Sequence, residues 1–283
     1  MNKSLSGIAV LITCFNRKDK TMACLTALFN CPLPENHFLE VYLVNDGCTD
    51  GTCEAVTEKF SHVNVIQGTG NLFWNRGMYL AWTTAAKTKD YKFYLWLNDD
   101  TILYPNAVRE LIETSETENH QSIICGSTYA TGLLQKITYG GKNSGKTLII
   151  PNGQKQKCKY ANGNILLVPI YVYSNVGTND PIFHHSMGDY DYGFRARKAG
   201  IHSVISPHVL GVCDERTKFP AWCHHNTPII KRFKLLYTPL GVHPIQHFIF
   251  EKRHFGWMIA CFHFFTIHLR ALFPVLWKNA NTH

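Results

Sequence analysis

The chain has 283 residues, 45% of them hydrophobic, and a formal net charge of +8. That length is sufficient for one large α/β domain with an appendage, and that composition excludes a disordered or fibrous protein. The ten cysteines are scattered and form no C-x-x-C pair, and the N-terminus lacks the pattern of a secretory signal peptide. We therefore expect reduced thiols in a cytoplasmic protein.

The positive charge is concentrated toward the C-terminus. From Glu215 onward there are nine Lys and Arg residues and only two acidic ones, Glu215 and Glu251, so this segment carries +7. The preceding residues are close to neutral. A basic tail on a neutral body predicts an acidic surface partner, either anionic lipid or nucleic acid.

Short apolar runs alternate with helical patterns along the first third of the chain. This alternation predicts a Rossmann-like α/β fold with a parallel, doubly wound sheet. We predict a main domain over 1–214, with halves 1–121 and 122–214, and a C-terminal helical extension over 215–283. The predicted strands are 8–13, 39–44, 64–66 and 93–97. The first predicted helix ends at Leu28, and the second begins at about Thr49, whose side chain could cap it. Two further helices are predicted over 73–87 and 188–198.

Three of these strands end in polar clusters, at 13–17, 45–50 and 98–101. Ligands of doubly wound sheets bind at the carboxyl ends of the strands. We therefore expect the three clusters to line one crevice.

The cluster after the fourth predicted strand contains Asn98, Asp99 and Asp100. Two adjacent carboxylates are costly to leave unpaired, and Mg²⁺ or Mn²⁺ bound together with phosphate oxygens would offset their repulsion. The alternative is a loop or helix cap before Pro105.

Two further side chains in these clusters have open interpretations. Asp46 either accepts hydrogen bonds from a base or ribose, or forms an Asx-turn before Gly47. Arg17 either pairs with phosphate or is a solvated loop residue.

Asp189 and Asp191 open the last helix predicted before the extension. They either stabilise its N-terminus through the helix dipole, or one of them is a general base that deprotonates an acceptor hydroxyl for attack on an anomeric carbon.

Five motifs occur in order over residues 8–213, and together they resemble the inverting glycosyltransferases of family 2, which have the GT-A fold. The resemblance implies a Rossmann-like α/β fold with a mixed, mainly parallel sheet flanked by helices. The similarity is to the bacterial polysaccharide and rhamnosyltransferase-like members. The motifs are T-C-F-N-R at 13–17, V-N-D-G-C-T-D at 44–50, G-N-L-F-W-N-R-G at 70–77, L-N-D-D-T at 97–101 and G-D-Y-D-Y-G-F-R at 188–195.

The resemblance implies a role for each matching position. Asp189 would be the catalytic base and Asp100 the metal ligand, with Mg²⁺ or Mn²⁺ bridging to the diphosphate. The donor-binding residues would be Thr13, Phe15 and Arg17 in the nucleotide pocket, Asp46 at the uracil or thymine ring, Trp74 and Asn75 near the donor sugar or its phosphates, and Asp99. The supporting residues would be Asn98, Asp191 and Arg195.

Two positions depart from the family pattern. Asn98 stands at the first position of the D-x-D region, so metal ligation would depend mainly on Asp100. Cys213 stands where many relatives carry a metal-binding histidine, and a thiol is a poor ligand for Mg²⁺. A metal site rich in water is therefore expected.

The implied reaction is inverting transfer of a sugar from a UDP- or dTDP-sugar, dTDP-rhamnose among them. The acceptor would be a saccharide or lipid-linked saccharide in capsule or O-antigen synthesis. The alternatives are a catalytically inactive nucleotide-sugar-binding scaffold and a protein that binds nucleic acid through the basic tail. A nucleotidyltransferase is disfavoured because its Gly-rich signature is missing near the first strand.

The apolar run over 255–269 is too short to span a bilayer, which takes about 20 residues. Basic residues and Trp257 and Trp277 flank it, which favours a helix lying at a membrane surface over nucleic-acid binding. We expect peripheral contact with the inner face of the cell membrane. The alternative is a helix packed on the domain or in a dimer.

Overall fold

The computed structural model describes residues 5–132, 136–215 and 220–275. The strands are β1 (Ser6–Cys14), β2 (His37–Asn45), β3 (Asn64–Gln67), β4 (Phe93–Leu97), β5 (Ile102–Leu103), β6 (Ile123–Tyr129), β7 (Ile137–Tyr139), β8 (Gln156–Cys158), β9 (Ile165–Pro169) and β10 (Ser203–Val212). The helices are α1 (Lys18–Phe29), α2 (Thr52–Lys59), α3 (Phe73–Thr88), α4 (Ala107–Glu116), α5 (Ile170–Val176), α6 (Gly188–Lys198), α7 (Ile229–Leu236), α8 (Pro244–Phe255) and α9 (Trp257–Leu272).

The strands form one sheet in the order β3-β2-β1-β4-β9-β6-β10-β5, with β7 paired to β6 and β8 paired to β10. The strands from β3 to β4 are parallel, and β9 runs antiparallel between β4 and β6. The predicted mixed, mostly parallel α/β sheet with flanking helices is confirmed.

Alternate residues of β1 supply the two cores of the sheet. Ile8, Val10 and Ile12 pack on the face covered by α1 and α4. Ala9 and Leu11 point to the opposite face, which is covered by α3 and α6. Successive side chains of a strand point to opposite faces, so a strand buried on both must be apolar throughout. This is why the pattern at 8–13 is a continuous apolar run.

The predicted helix from about Thr49 begins later, at Thr52. The Thr49 amide instead donates to Asn16 Oδ1 at 2.7 Å, and Asp50 Oδ1 accepts from the Thr52 amide at 3.1 Å. The prediction that the Thr49 side chain caps this helix was wrong because the helix begins at Thr52 with Gly51 as its N-cap residue, so Thr49 lies before it.

The chain divides into two compact units. The first comprises Met1–Pro181 and Gly188–Glu215, and the second Ile182–Met187 and Arg216–His283. Within the second unit, α9 follows α8 after a break at Gly256, whose φ is 99°. A small buried cluster holds this unit together, formed by Trp222, Cys223, Leu236 and Ala271.

The apolar run over 255–269 therefore lies at the end of α8 and in α9. Within the described ranges, no helix is long and apolar enough to cross a membrane. Trp277, to which the sequence analysis assigned a membrane role, lies outside the described residues.

The close approach of α3 to β1 depends on Gly77. A Cβ at this position would lie 2.3 Å from Thr13 Oγ1 and 2.8 Å from Thr13 Cβ. Gly77→Ala is therefore expected to lower the free energy of unfolding by about 1–3 kcal/mol through overpacking, measured by urea denaturation.

Gly193→Ala is the matched control, because Gly193 is also helical but a Cβ there meets nothing within 4 Å. It should be neutral or stabilising, since alanine favours a helix by about 1 kcal/mol over glycine. Equal effects of the two substitutions would contradict this account of the α3–β1 contact.

Candidate functional site

The loops after β1 and β2 are joined by side-chain hydrogen bonds. Asn16 Oδ1 accepts from the Thr49 amide at 2.7 Å, and Asp50 Oδ2 accepts from the Lys18 amide at 2.9 Å. The Sγ atoms of Cys14 and Cys48 lie 3.8 Å apart between the same loops. Two of the three predicted polar clusters are thus brought together at the carboxyl edge of the sheet.

Asp46 organises the loop that leads into α3. Its carboxylate is only 3% exposed and accepts three backbone N–H bonds, from Gly70 at 2.8 Å and from Leu72 and Phe73 at 2.9 Å each. A carboxylate at a helix N-terminus is also favoured by the helix dipole. Asp46 thus fixes the backbone of the G-N-L-F motif, and its contact with a nucleobase stays a prediction.

Arg17 joins the loop after β1 to the two carboxylates after β4. Its Nη1 donates to Asp99 Oδ1 at 3.0 Å and to Asp100 Oδ2 at 2.9 Å. Burial raises the pKa of Asp99 to about 6, although Arg17 opposes the shift. Burial lowers the pKa of Arg17, but the two carboxylates more than offset this and raise it. An ion pair therefore connects the predicted polar cluster at 98–101 with the one at 13–17.

Asp100 also lies next to Cys213. The Cys213 thiol lies 3.5 Å from Asp100 Oδ1 and accepts from Asn164 Nδ2 at 3.3 Å. Burial, and next the Asp100 charge, raise the pKa of Cys213 to about 11, so the thiol is protonated at neutral pH and donates to the carboxylate.

A divalent cation would find few protein ligands here. Among the described residues there is no group of three or more His, Cys, Asp or Glu that could hold a metal ion. Asp100 offers a carboxylate that is 18% exposed. Mg²⁺ is commonly held by one or two carboxylates plus substrate phosphates and water, and Asp100 fits that role.

Trp74 and Asn98 form a fixed pair beside these carboxylates. Trp74 Nε1 donates to Asn98 Oδ1 at 2.7 Å. An indole N–H can only donate, so the amide oxygen of Asn98 must face Trp74. Asn98 therefore orients Trp74, which is consistent with the supporting role implied by the resemblance.

Asp189 lies in the first turn of α6 and contacts a turn that the sequence analysis did not assign to the site. Its Oδ2 accepts from the Gly163 amide at 3.1 Å and lies 3.4 Å from Asn162 Nδ2, and its Oδ1 accepts from the Tyr190 amide at 2.9 Å. Burial raises the pKa of Asp189 against these hydrogen bonds, which lower it. A carboxyl group with a raised pKa is better suited to act as a general base near neutral pH.

Gly163 allows Trp74 and Asp189 to approach the same turn. A Cβ at Gly163 would lie 2.6 Å from the Trp74 ring and 3.2 Å from Asp189 Cβ. In a sequence, an Asn-Gly pair such as Asn162-Gly163 is typical of a turn and indicates nothing more. Its importance comes from two partners that are distant along the chain, and no local pattern reveals them.

Asn75, Asp191 and Arg195 hold backbone segments in place. Asn75 is fully buried, donates to the Asp180 carbonyl at 2.8 Å and accepts from Asn179 Nδ2 at 2.8 Å. Arg195 pairs with the buried Asp191 at 2.8 Å. Arg195 also donates to the backbone carbonyls at 176 and 178. The place of Asn75 near the donor sugar or its phosphates, and the supporting roles of Asp191 and Arg195, stay predictions.

Two residues at the end of β1 have different environments. The Phe15 ring is 54% exposed at the site edge, where it is available to stack on a base. Thr13 is 9% exposed and lies against Gly77 of α3. Its predicted place in the nucleotide pocket stays a prediction.

This sheet order, with acidic residues after β4 and a carboxylate at the start of α6, is that of a GT-A-type fold. A family model described as glycosyl transferase family 2 matches residues 9–176, more than half of the chain. The chain therefore belongs to glycosyl transferase family 2.

Among curated proteins, the chain is similar to poly-beta-1,6-N-acetyl-D-glucosamine synthase of Staphylococcus epidermidis. The two are 26% identical over 151 residues, which cover 49% of this chain and 34% of the relative. The chain thus spans about a third of that relative's length.

Two solved structures share the fold. The first is S. aureus TarS 1–349 in complex with UDP-GlcNAc, with a TM-score of 0.54, 12% identity, and coverage of 95% of this chain and 87% of that one. The second is the mannosyltransferase PcManGT of Pyrobaculum calidifontis in complex with GDP-Man and Mn²⁺, with a TM-score of 0.56, 11% identity, and coverage of 98% and 76%.

The raised pKa of Asp99 predicts how the free energy of unfolding depends on pH. Its pKa is about 6 in the folded protein against 3.8 for an unperturbed aspartate, so between these values the folded chain holds a proton that the unfolded chain has released. Stability from this group is therefore greatest at low pH and falls as the pH rises from about 4 to about 6, by on the order of 3 kcal/mol.

Asp99→Asn removes this titration, and urea denaturation of both proteins across the pH range measures it. The difference in unfolding free energy between variant and wild type should change between about pH 4 and 6 and be constant above. Parallel stability curves over that whole range would show that Asp99 has no raised pKa.

Proposed function

We propose that the chain is an inverting glycosyltransferase that uses a UDP- or dTDP-sugar, with dTDP-rhamnose among the candidates. The acceptor is a saccharide or lipid-linked saccharide in the synthesis of a bacterial surface polysaccharide such as capsule or O-antigen. Family membership supports the reaction class. The UDP-GlcNAc complex of TarS and the GDP-Man complex of PcManGT support a nucleotide-sugar donor.

One observation carries this proposal: Asp189 and the acidic pair are positioned by one connected framework. Asp189 and Trp74 both meet Gly163, Trp74 binds Asn98, and Asn98 precedes Asp99 and Asp100. A general base on one side and, on the other, carboxylates suited to a cation that binds the departing diphosphate are the groups that the proposed displacement uses.

On the acceptor side, Asp189 takes the proton from the attacking hydroxyl. The hydroxyl oxygen forms a bond to the anomeric carbon as the bond to the nucleoside diphosphate breaks, so the configuration is inverted. Burial raises the pKa of Asp189, and the Gly163 and Tyr190 amides hold its carboxylate in one orientation. Positioned bases of this kind accelerate reactions by about 10²–10⁴-fold.

On the donor side, Phe15, Arg17 and Asp46 lie on the loops proposed to receive the nucleotide, and Asp100 is the proposed ligand of Mg²⁺ or Mn²⁺. When bound, the cation neutralises charge on the departing diphosphate. Arg17 already neutralises part of the repulsion between Asp99 and Asp100, at 3.0 and 2.9 Å. Arg17 thereby stabilises the two carboxylates side by side at the end of β4.

We further propose that the protein works in the cytoplasm, in peripheral contact with the inner face of the cell membrane, where a lipid-linked acceptor is presented. The basic charge and exposed apolar residues of the second unit support this location. Four aromatic residues of that unit lie in the apolar helix α9 and do not alternate there with basic residues as in nucleic-acid-binding platforms, so we propose no nucleic-acid partner.

Asp189→Asn tests the assignment of the base. It should reduce sugar transfer by about 10²–10⁴-fold while leaving donor affinity largely unchanged, because the base acts on the acceptor. Transfer to isolated bacterial surface polysaccharide is measured with radiolabelled UDP- and dTDP-sugars, and donor affinity by calorimetry.

Asp90→Asn is the control, because it removes an exposed carboxylate of the same unit and should leave both quantities unchanged. Equal loss of transfer and donor affinity in Asp189→Asn would contradict the role of a base. Donor binding by the wild type without transfer to any acceptor would favour the inactive scaffold.

A further inference from the structure

One face of α9 exposes an uninterrupted row of large apolar side chains. Met258 is 85% exposed, Phe262 64%, Phe265 67% and Leu269 46%. Their spacing of four, three and four residues places them on one side of the helix. We call these four residues the α9 apolar face.

The other side of α9 accounts for its attachment to the second unit. Ala260 and Ala271 are fully buried. His263 Nδ1 lies 2.6 Å from Glu251 Oε2 on α8, and His268 Nε2 lies 2.7 Å from the Tyr237 hydroxyl after α7. The helix is thus held in the unit through contacts that do not involve the α9 apolar face.

The second unit accounts for the whole net charge of the protein. It contains nine Lys and Arg residues against Glu251 alone, a formal charge of +8 that equals the charge of the full chain. At the start of α9, the ammonium group of Lys252 lies 4.6 Å from the centre of the Trp257 ring. Trp257 is 57% exposed, and a tryptophan beside a lysine suits the headgroup region of a bilayer.

We propose that the α9 apolar face is the surface that inserts into an anionic phospholipid bilayer, with α9 lying parallel to the membrane plane. This deepens the peripheral membrane contact of the proposed function and rests on it, but does not require sugar transfer. The 16 residues of α9 are about 24 Å long at ~1.5 Å per residue, less than the ~30 Å hydrocarbon core. A helix of that length binds by its apolar side and not by crossing.

The charge of the second unit favours an anionic bilayer over a second copy of the chain as the partner of the α9 apolar face. Two copies paired through the α9 apolar face would bring two units of +8 together, whereas anionic headgroups attract basic residues. The same charge predicts that binding requires acidic lipid and weakens as salt is added.

The test measures sedimentation of the full chain with vesicles of phosphatidylcholine alone or with an equal part of phosphatidylglycerol. Wild type should bind the anionic vesicles, and Phe262→Ser/Phe265→Ser should bind at least about tenfold more weakly, because two large rings lose their lipid contact. The matched control is Ile150→Ser, which replaces an apolar side chain of the first unit that is 70% exposed. It should bind like the wild type.

Three outcomes would overturn the proposal. These are failure of the wild type to bind anionic vesicles, equal binding by the double variant, and a wild-type dimer that the double variant dissociates without vesicle binding by either. Donor binding to the same proteins without vesicles reports on the transferase site separately. A wild type that binds donor but not anionic vesicles would refute the membrane face and leave the proposed reaction standing.

Discussion

Two carboxylates follow one another at the end of β4, and the site depends on how their charge is balanced. Asp99 is nearly buried, and its pKa of about 6 records the cost of ionising it there. Arg17 offsets part of this cost by donating to both Asp99 and Asp100. Because Arg17 follows β1 and the carboxylates follow β4, this ion pair ties together the ends of two adjacent strands.

The antiparallel insertion of β9 brings a third part of the chain to the same place. Its pairing with β4 matches Leu97 with Ile165, and the Asn98 amide donates to the Asn164 carbonyl at 3.0 Å. The 162–164 turn therefore lies beside the acidic pair, and Gly163 leaves room there for Trp74 and Asp189. The Gly163 amide of this turn donates to the carboxylate of the proposed base, Asp189, and so holds it next to the turn.

The strands and their polar ends could be predicted because both signals are local. A run such as 93–97, buried on both faces, has to be apolar throughout, and the polar residues after it lie at a sheet edge known to bind ligands. The five motifs also placed the chain in its family. The structure confirms that the three clusters converge.

The remaining contacts could not be predicted, because they depend on partners that are remote in sequence. Asn75 binds residues that lie more than 100 positions later, and Asp46 is saturated by amides of a loop whose path the sequence does not fix. Thr49 has the residue type of a helix cap, but its amide is bound by Asn16 of a neighbouring loop and the helix begins only at Thr52. Short apolar segments such as β9 carry no sign of strand direction, so its antiparallel position was equally hidden.

The most direct measurement of the central claim is the melting temperature of the wild-type chain with UDP- and dTDP-sugars, with and without Mn²⁺ or Mg²⁺. A ligand stabilises the folded state to which it binds, by about 2.7 kcal/mol at a hundred times its Kd. The account predicts a rise for one nucleotide series that increases when the cation is added. No rise with any donor, with or without a cation, would contradict the account of the Arg17, Asp99 and Asp100 region as a donor site.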